Sequence, residues 1–251
     1  MGISALIIAK NEENKIRKCL ESLTFADEIV IVLDRTSDNT EEIVKKFTKK
    51  IYRGNWEFEG DRRNFGINKC KNNWILEVDA DEIIPLKLAK EIKKNVNADT
   101  YDFFYIKLLN YINNIPVKYG WMACMAPDGK FCLFRKNNKF WKNQRVHPDY
   151  ILEGKKGDQL KNSIEHKMSE NISDLILRFN RNTSLFAEDL LSQKRNISEY
   201  FSIRKIFSRF FKCYFSRKGF REKEIGLIIS ILSSLYPIVS AIKSKFLEEN
   251  S

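Results

Sequence analysis

Apolar and polar residues alternate in blocks along the first hundred positions. "ISALIIA" (3–9) is an unbroken apolar run and predicts a strand buried on both faces. In "NEENKIRKCLESL" the apolar residues Ile16, Cys19, Leu20 and Leu23 fall at helical spacing. "ADEIVIVLD" (26–34) predicts a second buried strand, ending on an aspartate. "SDNTEEIVKKFTKK" predicts a second amphipathic helix, with Ser37, Asp38 or Thr40 as candidate caps and Glu41 and Glu42 in the dipole-favoured first turn. A short strand in "KIYRGN", a helix around "DRRNFGINKCK" and a strand in "WILEVD" follow. Such alternation predicts an α/β fold, a mostly parallel sheet with helices on both faces.

From about position 100 the pattern changes. "YDFFYIKLLNYINN" and "KFCLFRKNNKFW" alternate apolar with polar residues and carry turn signals, so antiparallel strands are expected. "VHPDYILEGKKGDQLKNSIEH" reads as loop and short strand, and beyond about 170 the chain reads as helical. The expected division is 1–175 and 176–251.

In parallel sheets ligands sit outside the C-terminal ends of the strands. The first predicted strand delivers Asn11 and Glu12 there, the second Asp34, and "WILEVDADE" delivers Asp79, Asp81 and Glu82. Carboxylates spaced as D-x-D repel one another unless a hard cation lies between them. Mg²⁺ or Mn²⁺, which keeps its waters and takes one or two carboxylates plus phosphates, suits a nucleotide diphosphate. Arg62 or Arg63 of "GDRRNFG" is available to face a base or phosphate. No GxGxxG, GxxxxGK[ST] or GxSxG is present, which removes the dinucleotide, P-loop and serine-hydrolase readings.

Composition narrows the partners. The formal net charge is +11, favouring anionic ones. Five cysteines without a CxxC pair, and only His147 and His166 besides, leave no zinc site of usual spacing; reduced thiols in the cytoplasm are expected. The apolar stretch in "MGISALIIAKNEE" is too short for a signal peptide, so no export is expected.

The segments "SALIIAKNEENKIRKCLESL", "DEIVIVLDRTSDNT", "DRRNFGI" and "WILEVDADE" together resemble the family 2 glycosyltransferases of GT-A (Rossmann-like) fold. "CLFRKNNKFWKNQRVH", "EGKKGDQLKNSIEH", "RFNRNTSLFAEDL" and "FFKCYFSRKGFREKEIGLIISILSSLYPIVSAIK" resemble the lipopolysaccharide and lipooligosaccharide core branch of that family. The resemblance implies a metal-dependent, inverting transfer of a hexose from a nucleotide sugar, UDP-linked (UDP-glucose, for example), to a lipid-anchored core saccharide. Carried over by position, Asn11 and Glu12 line the nucleotide pocket, Asp34 meets the base or ribose, Arg63 lies near the base, Asp79 meets the ribose and Asp81 ligates the metal. An inverting enzyme also needs a base for the acceptor hydroxyl. Many relatives carry "VHE" where this chain has "VHPDY", so the glutamate is replaced by Pro148. Asp149, His147 and Asp128 are the candidate bases; His166 reads as a structural histidine.

In the last third, Ile203, Ile206, Phe207, Phe210, Phe211, Tyr214 and Phe215 step by three and four, giving one apolar helix face. Residues 178–223 carry twelve basic and four acidic side chains. A basic amphipathic helix of this kind reads as peripheral attachment to an anionic membrane surface, here the inner face of the cytoplasmic membrane. The apolar run 226–242, interrupted by Pro237, is expected as an interfacial hairpin and not a span. Nucleic acid is not an expected partner, because the basic residues cluster on helices away from the aromatics. A peptide or protein acceptor, or a non-catalytic basic protein binding membrane or nucleic acid on the same scaffold, are the competing readings.

Overall fold

The computed structural model describes residues 1–144 and 148–249, so Val146 and the candidate base His147 lie outside the described residues. The chain divides into two compact units: 1–109 with 129–144 and 148–167, and 110–128 with 168 onward.

In the first unit the buried runs form strands where the pattern places them: β1 (Ile3–Ala9), β2 (Glu28–Asp34), β3 (Ile51–Gly54) and β4 (Trp74–Asp79). They pair in parallel in the order β3-β2-β1-β4. The helices between them are α1 (Ile16–Ser22), α2 (Thr40–Val44) and α3 (Glu59–Lys69). The second is only five residues long, shorter than its amphipathic pattern suggests. A two-residue strand β5 (Glu82–Ile83) and a helix α4 (Leu86–Ala98) follow, the helix burying Leu88, Ala89, Ile92 and Val96 at helical spacing.

The antiparallel part comes next: β6 (Phe103–Ile112), β7 (Ile115–Val117), β8 (Gly129–Arg135), β9 (Lys139–Trp141), β10 (Tyr150–Leu152) and β11 (Ile164–Ser169). β8 inserts antiparallel beside β4, and the sheet continues through β6 and β11 to β5. Trp74, Ile75, Leu76, Phe104 and Phe134 are fully buried where these strands meet, which explains why "WIL" is so apolar.

The second unit is built from α5 (Ile172–Ser192), α6 (Ile203–Phe211), a π-helical turn over Lys212–Ser216, and α7 (Lys223–Glu249). Its core holds Trp121, Met122, Met125, Leu175, Cys213, Ile229, Leu232 and Tyr236. The expected hairpin over 226–242 is instead one uninterrupted helix of 27 residues. Proline usually breaks a helix because it removes an N–H and leaves the carbonyl four residues back without a donor. Here that carbonyl belongs to Ser233, and Arg209 Nε donates to it at 3.1 Å. The helix therefore continues through Pro237.

Candidate functional site

The register of the sheet gathers the acidic residues. Leu33 of β2 lies opposite Ala9 of β1, and Asp79 of β4 lies opposite Ile8. Three neighbouring strands thus end level, with Asp34, Asn11 and Asp79 at or just beyond one edge. Two of the turns leaving that edge hold non-glycine residues in the left-handed region, Asn11 (φ 55°) and Arg35 (φ 51°). Such conformations are held by their surroundings and concentrate at functional sites. Asn11 Oδ1 accepts the Ser37 N–H at 2.9 Å, and the Glu12 N–H donates to Thr40 Oγ1 at 2.8 Å, which ties the first two turns together.

Helix α3 explains "GDRRNFG" residue by residue. A Cβ on Gly60 would collide with the Lys142 carbonyl oxygen, so the helix approaches the strand β9 segment only with glycine there. Arg62 Nη1 donates to Asp34 Oδ2 at 2.7 Å, and Arg63 Nη2 to Asp79 Oδ1 at 3.3 Å. Arg63 is further held by Glu59 at 2.6 Å and lies 4.9 Å over the Trp141 ring. Asn64 makes two bonds to the Trp141 backbone, and Gly66 leaves room for Leu6 and Val32. Adjacent arginines therefore clamp the ends of two strands.

Asp34 is fully buried and accepts from Arg35, Arg62 and the Trp56 N–H. Burial alone would raise its pKa, but these donors outweigh it and hold the carboxyl below its ordinary value. Asp79 meets a second cation besides Arg63: Lys130 Nζ, at the start of β8, lies 2.9 Å from Asp79 Oδ2 and 2.7 Å from Glu82 Oε2. Burial again pushes upward on Asp79, yet Lys130 and Arg63 hold it well below the usual carboxylate range. Glu82, whose side chain is 1% exposed, goes the other way; burial keeps its pKa raised despite Lys130.

Asp81 sits between these groups in sequence and meets a different one. β5 and β11 pair antiparallel with Glu82 opposite His166, and the Asp81 carbonyl accepts the Lys167 N–H at 2.8 Å. This places His166 Nε2 3.5 Å from Asp81 Oδ2. His166, expected as structural, thus faces the D-x-D motif. Its pairing was hidden because 85 residues separate it from Asp81 and the short strand β5 gives no pattern. Lys130 was missed for a similar reason: in "DGKFCLFR" it reads as an ordinary polar strand entry.

Beneath the rim lies a buried ion pair. Glu77, in the middle of β4, accepts from Lys139 Nζ at 2.6 Å and from Trp141 Nε1 at 2.7 Å, with both charged side chains 3% exposed. Lys139 also donates to the Phe131 carbonyl and lies 3.9 Å from the centre of the Trp141 ring.

Of the candidate bases, Asp149 is exposed, and its backbone carbonyl accepts the Lys142 N–H at 2.8 Å. Asp128 belongs to the second unit and is ion-paired with Arg217 at 3.0 Å. Among the described residues no group of three or more His, Cys, Asp or Glu is arranged to hold a metal ion.

Residues 4–152 match the family model of glycosyl transferase family 2. The chain belongs to that family. A glycosyltransferase of Rickettsia bellii is 30% identical over 245 residues, 92% of this chain and 81% of the relative. The lipopolysaccharide core biosynthesis glycosyltransferase LpsC of Rhizobium meliloti is 24% identical over 97% of this chain and 92% of its own. Among solved structures, residues 1–349 of S. aureus TarS in complex with UDP-GlcNAc superpose with a TM-score of 0.54 at 14% identity, covering all of this chain and 93% of that one. The expected GT-A architecture, a mixed sheet flanked by helices, is the one observed. The family settles the broad class as well: the chain is a glycosyltransferase, and the non-catalytic reading falls away.

Proposed function

We propose that the chain transfers a hexose, with inversion, from a UDP-linked sugar to a lipid-linked core saccharide of lipopolysaccharide or lipooligosaccharide. The observation that carries this reading is the clamp at the strand ends, Arg62 on Asp34 and Arg63 on Asp79, beside the Asp81–His166 pair. It gathers from three strands the acids and amides that a nucleotide diphosphate sugar and its cation need. The acceptor assignment is supported by the similarity to LpsC over almost the whole chain. In this reading the enzyme works at the cytoplasmic face of the inner membrane, where such acceptors are built. A peptide acceptor has no comparable support.

Mg²⁺ or Mn²⁺ fits the residues present. Asp81 offers an oxygen and His166 a nitrogen toward one another, while Lys130 and Arg63 occupy Asp79 and Lys130 occupies Glu82. Few protein ligands leave most positions for diphosphate oxygens and water, as these cations prefer. When bound, the ion would offset the charge that develops on the leaving diphosphate. Asp79, fixed from two sides, is oriented to accept from a ribose hydroxyl. Asn11 and Glu12 line the turn that closes the nucleotide pocket.

Asp149 is the base this reading favours. Its carboxylate is exposed, whereas Asp128 is engaged by Arg217. Residues 142–144 are moored to α3, because the Glu59 N–H donates to the Gln144 carbonyl at 3.0 Å and Gly60 packs under Lys142, and the Lys142 N–H donates to the Asp149 carbonyl at 2.8 Å. A carboxylate there can take the acceptor's proton as the hydroxyl attacks.

Calorimetry with UDP and Mn²⁺ tests the donor side. Binding by the wild type should depend on the metal, and Asp81→Ala should lose that dependence. Equal metal-dependent binding by both proteins removes Asp81 from the site. Transfer from a panel of nucleotide sugars, with Asp149→Asn as control, tests the rest. The substitution should lower kcat by about two to four powers of ten, the usual contribution of a positioned base, while leaving UDP binding intact.

A further inference from the structure

The apolar stripe of α6 is wider than its packing requires. Ser202 Oγ caps the helix by accepting the Lys205 N–H at 3.3 Å, and the π-helical turn carries the helical path on to Ser216. Along this path the apolar residues split into two rows. Cys213 is fully buried in the core of the second unit, and Ile206, Phe210 and Tyr214 are half-buried. The second row turns outward: Ile203, Phe207, Phe211 and Phe215, four residues apart, are 71, 61, 56 and 51% exposed. The Phe211 and Phe215 rings stack on each other at 5.2 Å. A row of large apolar side chains left in water is unusual for a soluble protein and marks a binding surface.

Charge selects the partner. Residues 201–220 contain six basic side chains and no acidic one. Arg204, Lys205 and Lys212 alternate with the outward row and are themselves exposed. A protein groove for an amphipathic helix would not require a uniformly cationic border. A bilayer with anionic headgroups matches both features, taking the apolar row into its acyl boundary and the cations onto its phosphates. The neighbouring helix α7 is long and apolar enough to cross a membrane by composition, but half of its most apolar window is buried within the protein. Among the residues it commits to the fold are Ile229, Leu232, Tyr236 and Ala241. Surface attachment thus fits better than a span.

We propose that the face formed by Ile203, Phe207, Phe211 and Phe215, bordered by Arg204, Lys205 and Lys212, docks the enzyme in the plane of an anionic membrane surface. This surface deepens the reading of a lipid-carried acceptor, but its test uses neither donor nor acceptor, so either can fail alone.

The experiment is flotation of the full-length protein with vesicles of phosphatidylcholine, with and without roughly 30 mol % phosphatidylglycerol, at low and high salt. Wild type should float with the anionic vesicles at low salt only. Phe207→Glu/Phe211→Glu should weaken that binding by at least about ten-fold, and Lys205→Ala/Lys212→Ala should weaken it and flatten its salt dependence. Both pairs are exposed, and an unchanged thermal unfolding midpoint in each variant shows that the fold is intact. Unchanged flotation of the glutamate variant would overturn the proposal, as would equal, salt-insensitive binding to neutral vesicles. A wild-type dimer that the same substitution dissolves, without vesicle binding, would assign the face to a second copy and overturn it too.

Discussion

Lys130 Nζ stands between two carboxylates of the acidic motif, 2.9 Å from Asp79 and 2.7 Å from Glu82, and reaches them from β8, which runs antiparallel to the β4 strand of Asp79. Burial disfavours the ammonium, but the two acids more than offset this and raise its pKa, so it stays charged. It thereby divides the rim. Asp79 and Glu82 are compensated from within the protein, and Asp81 faces His166.

Lys130→Met should expose that division. Glu82 would be left buried without its cation, a change that costs about 3–5 kcal/mol when a buried pair is broken from one side. Glu82 can escape by binding a proton, since its folded pKa is already raised by burial and would rise further. A carboxyl whose folded pKa exceeds its unfolded value of about 4.3 loses stability as pH rises through the folded value. The deficit in urea unfolding should therefore be larger at pH 8 than at pH 5. Glu82→Gln added to Lys130→Met should restore much of it. A deficit independent of pH would mean that Glu82 is not the group left uncompensated.

The Glu77–Lys139 pair predicts a similar pattern of sensitivity. Lys139→Met alone leaves Glu77 charged in the core and should destabilise by about 3–5 kcal/mol. Replacing both, as Glu77→Leu/Lys139→Met, should come close to wild type, because well-packed apolar side chains of similar volume often match a buried ion pair. The strong coupling would appear in a double-mutant cycle measured by urea denaturation. If the double variant is as unstable as the sum of the single ones, the pair contributes specific geometry, through Trp141, that apolar packing cannot replace.

How much of this was legible in the sequence depends on the range of each interaction. β1, β2 and β4 announce themselves as apolar runs, and the level ending of their acids follows from parallel pairing with short turns. Arg62 and Arg63 were visible as candidates, though not that each takes a different aspartate. Lys130 and His166 reach the rim from strands that pair antiparallel with β4 and β5, and a single sequence carries no register for such distant pairings. Asp128 looked as available as Asp149 until Arg217, 89 positions away, was found on it. In α6 the spacing gave the stripe correctly, but only packing separates the row facing Cys213 from the row facing outward.

Asp34 gives an acid-stability prediction with a definite sign. Its folded pKa lies below the unfolded value of about 3.9, burial being outweighed by Arg35, Trp56 and Arg62. A depressed carboxylate contributes stability that is fully present above the unfolded value and lost as pH falls through the folded one. Asp34→Asn should therefore be less stable than wild type at pH 7, by about 1.5–3 kcal/mol for charge-assisted bonds. The gap should narrow steadily as unfolding is measured from pH 5 down to pH 3. A gap of constant size would show that Asp34 contributes through shape and not through its charge.

The last prediction concerns the helix that Pro237 fails to break. Arg209 Nε supplies the Ser233 carbonyl with the donor that Pro237 lacks, at 3.1 Å, and Arg209 Nη2 lies 3.2 Å from Cys124 Sγ. Arg209→Ala should leave the carbonyl only the weak Cys124 thiol donor, at 3.9 Å, and cost about 1–3 kcal/mol. Pro237→Ala returns a backbone N–H to the same carbonyl, so on that background Arg209→Ala should cost markedly less. Thermal unfolding of the four proteins in the cycle gives the coupling directly. A coupling near zero would mean that α7 tolerates Pro237 for some reason other than this bond, and that Arg209 is held for its packing against Cys124.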